Sequence, residues 1–258
     1  MSINLKYDNL INRVLSQRLE EIKENKFPKY IYKFSPINSF AIRNLVNYQI
    51  WCSSPTSFND PFDCMFNGKT YINENQIKVD NGNKKVLAEM INKDAKSQRI
   101  SCFCDLDNPS SHPTLMWSHY ADSHKGICFK YNLENLIKHW IKNAPLTIIQ
   151  PVNYKKTFPK IPIKFNDKDR TITLSMDFLY TKSSDWKYEQ EIRVFSKSNV
   201  LPINLESISQ IHFGCESSIS DQIDIINIVR KFSYKKVSFF KASKSTKEFK
   251  LELISIKG

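Results

Sequence analysis

Trp186-Lys187-Tyr188-Glu189-Gln190-Glu191-Ile192-Arg193-Val194-Phe195-Ser196 places a charge at every second position from Glu189 to Arg193, with apolar Ile192 and Val194 at alternate positions, the two-residue period of a β-strand. In a strand, Glu189, Glu191 and Arg193 share one face while Ile192 and Val194 turn to a core. Such a strand needs a sheet, and the chain offers partners for it. Tyr30–Phe34, Gln49–Ser53, Arg99–Cys104, Ile127–Tyr131, Thr147–Tyr154, Gln210–Gly214, Lys236–Lys241 and Lys250–Ile256 all read as strands, alongside Glu191–Ser196 itself. Helical spacing appears between them: after a cap at Asn38 or Ser39 with Phe40, Ile42, Leu45 and Val46 inward, and over 83–97 through Val86, Leu87, Met90 and Ile91. It recurs over Asn132–Lys142, Thr171–Tyr180 and Ser220–Arg230, the last with Ile223, Ile226 and Val229 inward. Most connections lack the helical crossover of a parallel sheet, so the pattern predicts an α+β fold: a mixed, largely antiparallel sheet with flanking helices.

Upstream of Pro28, residues 8–25 carry Leu10, Ile11, Val14, Leu15, Leu19 and Ile22 on one helical face. Proline ends that helix, and the strand-rich pattern begins after it. Two units are expected: an amphipathic helical extension over 1–28 and a single α+β core over 29–258. The apolar stripe should be buried on the core, across a homodimer contact or on another partner.

Net charge is +12, which favours phosphate-bearing partners, nucleic acid among them. The six cysteines include no CxxC pair and no regular framework spacing, so reduced thiols are expected and no metal site is assigned. Cys102 and Cys104 alternate in a strand and should share one face. With 5 glycines the chain has neither a Walker nor a Rossmann fingerprint. No apolar run approaches the roughly 20 residues that span a bilayer, and the expectation is a cytoplasmic protein with no membrane partner.

Two further clusters join the E-x-E-x-R run. In Phe58-Asn59-Asp60-Pro61-Phe62-Asp63, proline biases Asp60 towards extended backbone, and Asn59 and Asp60 either cap a local turn or join Asp63 in a site. Met116-Trp117-Ser118-His119-Tyr120-Ala121-Asp122, followed by His124-Lys125-Gly126, brings imidazoles that serve as structural hydrogen-bonding groups or as acid, base or ligand. All three clusters are expected in one cleft at the rim of the sheet.

Taken with Tyr32-Lys33-Phe34, Ser101-Cys102-Phe103, Lys182 and Phe213-Gly214, these blocks resemble a mostly bacterial family catalogued as domain of unknown function 2971, from about Tyr30 to Gly214. Their order is also similar to that of ADP-ribosyltransferases, whose early basic or aromatic residue, following serine and late glutamate surround NAD. That likeness implies NAD as ligand, with Lys33 or Tyr32 where the family has arginine or histidine, Ser53 second, and Glu191 or Glu189 as the catalytic carboxylate. It implies Tyr32, Trp117, Tyr120 or Trp186 beside the nicotinamide, Arg193 on the pyrophosphate, and Asn59, Asp60, Asp63 and His119 in the same site. The expected role is an intracellular effector, in a toxin or antiphage defence system, modifying a nucleic-acid or protein acceptor. Two other readings stand beside it: a nuclease gathering Asp60, Asp63, His119 and Glu189 around a divalent ion, and a non-catalytic sensor of nucleotides or nucleic acid.

Overall fold

The computed structural model describes residues 4–7, 11–65, 81–107, 113–159, 163–166, 171–174, 177–232 and 237–257. Its centre is an eight-stranded sheet in the order β15-β14-β13-β5-β2-β4-β11-β6. These strands are β2 (Tyr30–Ser35), β4 (Arg99–Cys104), β5 (Ile127–Asn132), β6 (Ile148–Pro151), β11 (Glu191–Ser196), β13 (Ile208–Phe213), β14 (Ser238–Lys244) and β15 (Leu251–Ile256). Every neighbouring pair is antiparallel except β13 with β14, whose connection holds the helix α6 (Ile219–Lys231). The fold is α+β, as the spacing predicts.

One face of the sheet packs on α1 (Ile11–Lys23), α2 (Ser39–Val46), α5 (Leu133–Asn143) and α6. Ile31, Phe103, Phe129, Ile192, Val194, Ile211 and Phe213 meet Leu136, Ile137, Trp140 and Ile225 there in the largest apolar cluster. Leu15 and Ile22 of α1 belong to that cluster and Leu19 packs against it, so the described part of the amphipathic stripe is covered by the chain's own core; Leu10 and the side chains of Ile11 and Val14 lie outside the described residues. Asn38 caps α2 through its side-chain oxygen, which accepts from the amides of Phe40 and Ala41 at 3.1 Å each. The opposite face carries α3 (Asn81–Ser97) and the short α4 (Pro113–Tyr120). Leu87, Ile91 and Ala95 of α3 are buried with Ile100 and Phe195. Phe40, Val86 and Ile223, expected inward, are exposed, because each helix has a narrower contact than its apolar content suggests.

Smaller pairings surround the sheet. β1 (Asn4–Tyr7), β9 (Thr171–Leu174) and β8 (Ile163–Asn166) form one, β7 (Asn153–Lys155) and β10 (Thr181–Ser183) another, and β3 (Gln49–Trp51) with β12 (Val200–Pro202) a third. The helix expected over Thr171–Tyr180 is therefore corrected: Thr171–Leu174 is a strand, and only Asp177–Tyr180 coils, as a 3-10 turn. Thr-Ile-Thr puts consecutive β-branched side chains on the chain, which suits the pleat better than a helix. The strand expected over Thr147–Tyr154 is split at Val152 between β6 and β7. Lys236, in the strand expected over Lys236–Lys241, lies outside the described residues, and β14 starts at Ser238. Among the described residues no helix is long and apolar enough to cross a membrane.

Between β2 and β4 the ladder nearly fails, and this places the cavity. The two strands share a single bridge, Tyr32 with Cys104. Four residues back along β4, Ile100 is bridged instead by Ser53, which follows β3. Between those points the Cys102 carbonyl accepts from Lys33 Nζ at 3.1 Å. A lysine thus fills a gap in the sheet.

The α4–β5 turn is held by two glycines where other residues would collide. A Cβ on Gly126 would lie 2.3 Å from the Ser35 carbonyl oxygen, and one on Gly214 1.9 Å from that of His124. His124 serves here through its backbone, its carbonyl accepting from Glu216 at 3.1 Å. Gly214→Ala should lower stability by about 1–3 kcal/mol, the usual cost of forcing atoms into packed space. A denaturant midpoint unchanged from the parent would show that the turn can yield.

Candidate functional site

Arg193 stands on β11 facing α3 and α4, and it is fully buried. Its Nε donates to Glu191 Oε1 at 2.7 Å; one terminal nitrogen donates to Asp63 Oδ2 at 2.7 Å and Glu191 Oε2 at 3.2 Å. The other reaches the Leu179 carbonyl at 2.6 Å and Cys64 Sγ at 3.2 Å. All five guanidinium N–H groups are used, which only arginine's planar fork permits. The two-residue period that puts Glu191 and Arg193 on one face makes the first of these contacts local; the others draw in the Phe58–Asp63 segment and the turn before β10.

Lys182, on β10, is the second buried cation. Its Nζ lies 2.5 Å from Glu189 Oε2, 3.1 Å from Glu191 Oε2 and 3.8 Å from Asp63 Oδ2. Glu189 is not on the strand: it ends the 3-10 turn Ser184–Glu189, and Gln190, left-handed at φ 47°, swings the chain into β11. Its other oxygen accepts from the Tyr120 hydroxyl at 2.5 Å, and Asn59 Nδ2 donates to that hydroxyl at 3.4 Å. Three carboxylates therefore share two cations.

The unequal sharing separates the acids. Burial alone would raise Glu191, but Arg193 and Lys182 overcome it and hold this carboxyl down at about 2. For Glu189 and Asp63 burial wins, and both are raised above the ordinary carboxylate value. Burial also raises the Tyr120 hydroxyl, with the Glu189 charge adding to it. Glu191 is thus a fixed negative charge, and Glu189 the carboxyl nearer to exchanging a proton.

Beside this network lies a cavity of about 350 Å³, within the range of small-molecule sites. Tyr32 and Lys33 of β2, Ser53, Asn59 and Asp63, His119 and Tyr120 of α4, and Glu189 and Glu191 all line it. Met116, His119 and Tyr120 face it together because residues three and four apart share one side of a helix. Tyr32 is anchored by its hydroxyl, which donates to Asp107 Oδ1 at 2.8 Å. Lys33 projects into the gap between β2 and β4, 5.2 Å from the Phe103 ring centroid, and loss of water around its ammonium pushes its pKa down. No carboxylate among the described residues lies within ion-pair distance of it.

Four of the residues singled out in the sequence do not line the cavity. Arg193 stands behind the carboxylates with every donor taken. Asp60 caps its own turn, its Oδ1 accepting from the Phe62 amide at 2.9 Å. Trp117 is buried edge-on against Phe34 at 5.0 Å. Trp186 packs outside the ionic network, its ring centroid 4.9 Å from Lys182 Nζ. Lys182, Cys102 and Cys104 were assigned no part in the site by sequence reasoning. Three acids in Asp63, Glu189 and Glu191 against one arginine was the available signal that a second buried cation must exist. Among the described residues no group of three or more His, Cys, Asp or Glu side chains is arranged to hold a metal ion.

Residues 116–194 match the family described as Protein of unknown function (DUF2971). That span holds the end of α4 with Tyr120, and Lys182, Glu189, Glu191 and Arg193, so the match covers most of the charged wall of the cavity, while Tyr32, Lys33, Ser53 and Asp63 lie before it. Neither the curated proteins nor the solved structures compared with the chain gave a match.

Arg193→Ala should destabilise the protein by about 3–5 kcal/mol, since it strands buried carboxylates. Glu191 is depressed from near 4.5 to about 2, so its contribution is complete above about pH 4.5 and is lost as the pH falls through 2. Denaturation between pH 5 and pH 2 should show the parent losing stability over this window and Glu191→Gln losing less; parallel curves would remove Glu191 as the source.

Proposed function

We propose that the chain binds NAD or a closely related nucleotide in this cavity and transfers its ADP-ribosyl group to an acceptor. What carries the reading is convergence: an early strand contributes Tyr32 and Lys33, the segment after β3 contributes Ser53, and the entrance to β11 contributes Glu189 and Glu191, all to one cavity of about 350 Å³. This is the block order that resembles the ADP-ribosyltransferases, met in space. The flat rings of Tyr32 and Tyr120 and the part-buried ammonium of Lys33 suit a nicotinamide riboside and its phosphate.

In the proposed step the bond from ribose C1′ to nicotinamide breaks, and nicotinamide leaves as a neutral base with the bonding pair. Positive charge develops on the ribose, and the fixed charge of Glu191 stabilises it from behind. An oxygen or nitrogen of the acceptor forms the new bond to C1′ and gives its proton to Glu189. Glu189 suits that part because its carboxyl is raised and shares a hydrogen bond with Tyr120 at the cavity wall. The divalent-ion nuclease has less support, since Asp63, Glu189 and Glu191 are already ion-paired with Lys182 and Arg193.

Calorimetry with NAD and a nicotinamide-release assay, alone and with cell extract, test this. Glu189→Gln should keep the fold and ligand affinity while lowering turnover about 10²–10⁴-fold, the usual contribution of a positioned general base. Parent protein that neither binds NAD nor releases nicotinamide would end the reading.

A further inference from the structure

Three rings at one end of the cavity are not used by the chemistry above. His119, exposed on α4, has its ring centroid 6.3 Å from Trp186 and 6.4 Å from Tyr188, and those two are 6.1 Å apart. His119 also lines the cavity, and Trp186 and Tyr188, both half-exposed, sit on the turn that delivers Glu189. The cluster is therefore continuous with the carboxylate wall. Lys182 holds the indole of Trp186 from the ionic side, and exposed Lys187 lies between the two aromatic residues in sequence.

We propose that the rim formed by His119, Trp186 and Tyr188 takes a base of a single-stranded nucleic acid, which is the acceptor of the transfer described above. The word acceptor rests on that reading; the stacking does not. Half-open aromatic rings gathered beside a cavity suit a flat heteroaromatic ring, and stacking of this kind tolerates any base. Net charge of +12 attracts a polyanion to the surface, where exposed His119 and the half-exposed Trp186 and Tyr188 offer their rings. The backbone then stays at the surface while a base reaches the rim. A duplex would hide its base faces, so the strand must be single.

Fluorescence anisotropy of labelled single-stranded RNA, single-stranded DNA and duplex, titrated with the full chain in the absence of NAD, tests the rim directly. Single strands should bind more tightly than duplex, and His119→Ala, Tyr188→Leu and Trp186→Leu should each weaken them about five- to 150-fold, the range for losing one stacked base. Because Trp186→Leu also removes a neighbour of Lys182, the other two variants decide if it fails to fold. Equal binding of duplex and single strand, or single-strand binding untouched by His119→Ala and Tyr188→Leu, would overturn the proposal as charge attraction alone. Competition by NAD or AMP for the oligonucleotide would assign the rim to the small ligand's own adenine and overturn it too. Rim-dependent single-strand binding by protein that does not release nicotinamide upholds the base site while sinking the transfer reaction; nicotinamide release without any oligonucleotide binding does the reverse.

Discussion

Five N–H groups of one buried arginine hold together segments that the chain supplies from far apart. Arg193 ties β11 to Asp63 and Cys64 of the Phe58–Asp63 region and to the Leu179 carbonyl, and Lys182 repeats the tie to Asp63 while adding Glu189. A buried ion pair seldom adds stability over an apolar isostere, since desolvation offsets its attraction. Its value lies in geometry: only one arrangement of loop, turn and strand lets every donor find an oxygen or sulfur. The cavity wall inherits that definition, and its two glutamates are shifted in opposite directions because Arg193 reaches Glu191, whereas burial wins at Glu189.

The weakness of the sheet at β2 and β4 is the other half of the site. A continuous ladder would leave no space for Lys33, and the cavity would be closed by backbone. With the bridges at Tyr32–Cys104 and Ser53–Ile100 bounding an open interval, a side chain stands where a strand would pair. Polar chemistry is thereby introduced into the middle of a sheet, where rigid strands position it from both sides.

How far the sequence foretells this depends on where the signal is local. Arg99–Cys104 and Glu191–Ser196 are strands with the limits their alternation implies, and Asn38, one of the two cap candidates, caps its helix. α4 was not legible as a helix: with one proline at its start and eight residues in all, its apolar spacing fits several conformations, and packing against Phe34 decides among them. Lys182 was legible only as one residue of a resembling block, because nothing in Thr-Lys-Ser announces burial among three acids. Asp60 and Arg193 show the limit from the other side. Their residue types fit a ligand as well as they fit a cap or an ion pair, and only the positions of partners distant in sequence separate the two.

The near-failure of pairing between β2 and β4 also divides the molecule mechanically. On one side lie five strands, β15 through β2; on the other lie three, β4, β11 and β6, carrying Glu191 and Arg193. Few backbone hydrogen bonds cross the seam; the shared apolar cluster and the Lys33–Cys102 contact join its sides, so the cost of parting them is set by side chains rather than by a ladder. Anything seated in the cavity touches Tyr32 and Lys33 on one half and Glu189 and Glu191 on the other. Its affinity then measures the cohesion of the seam: by linkage, a ligand that closes the halves together stabilises the whole chain by as much as it prefers the closed state to the parted one.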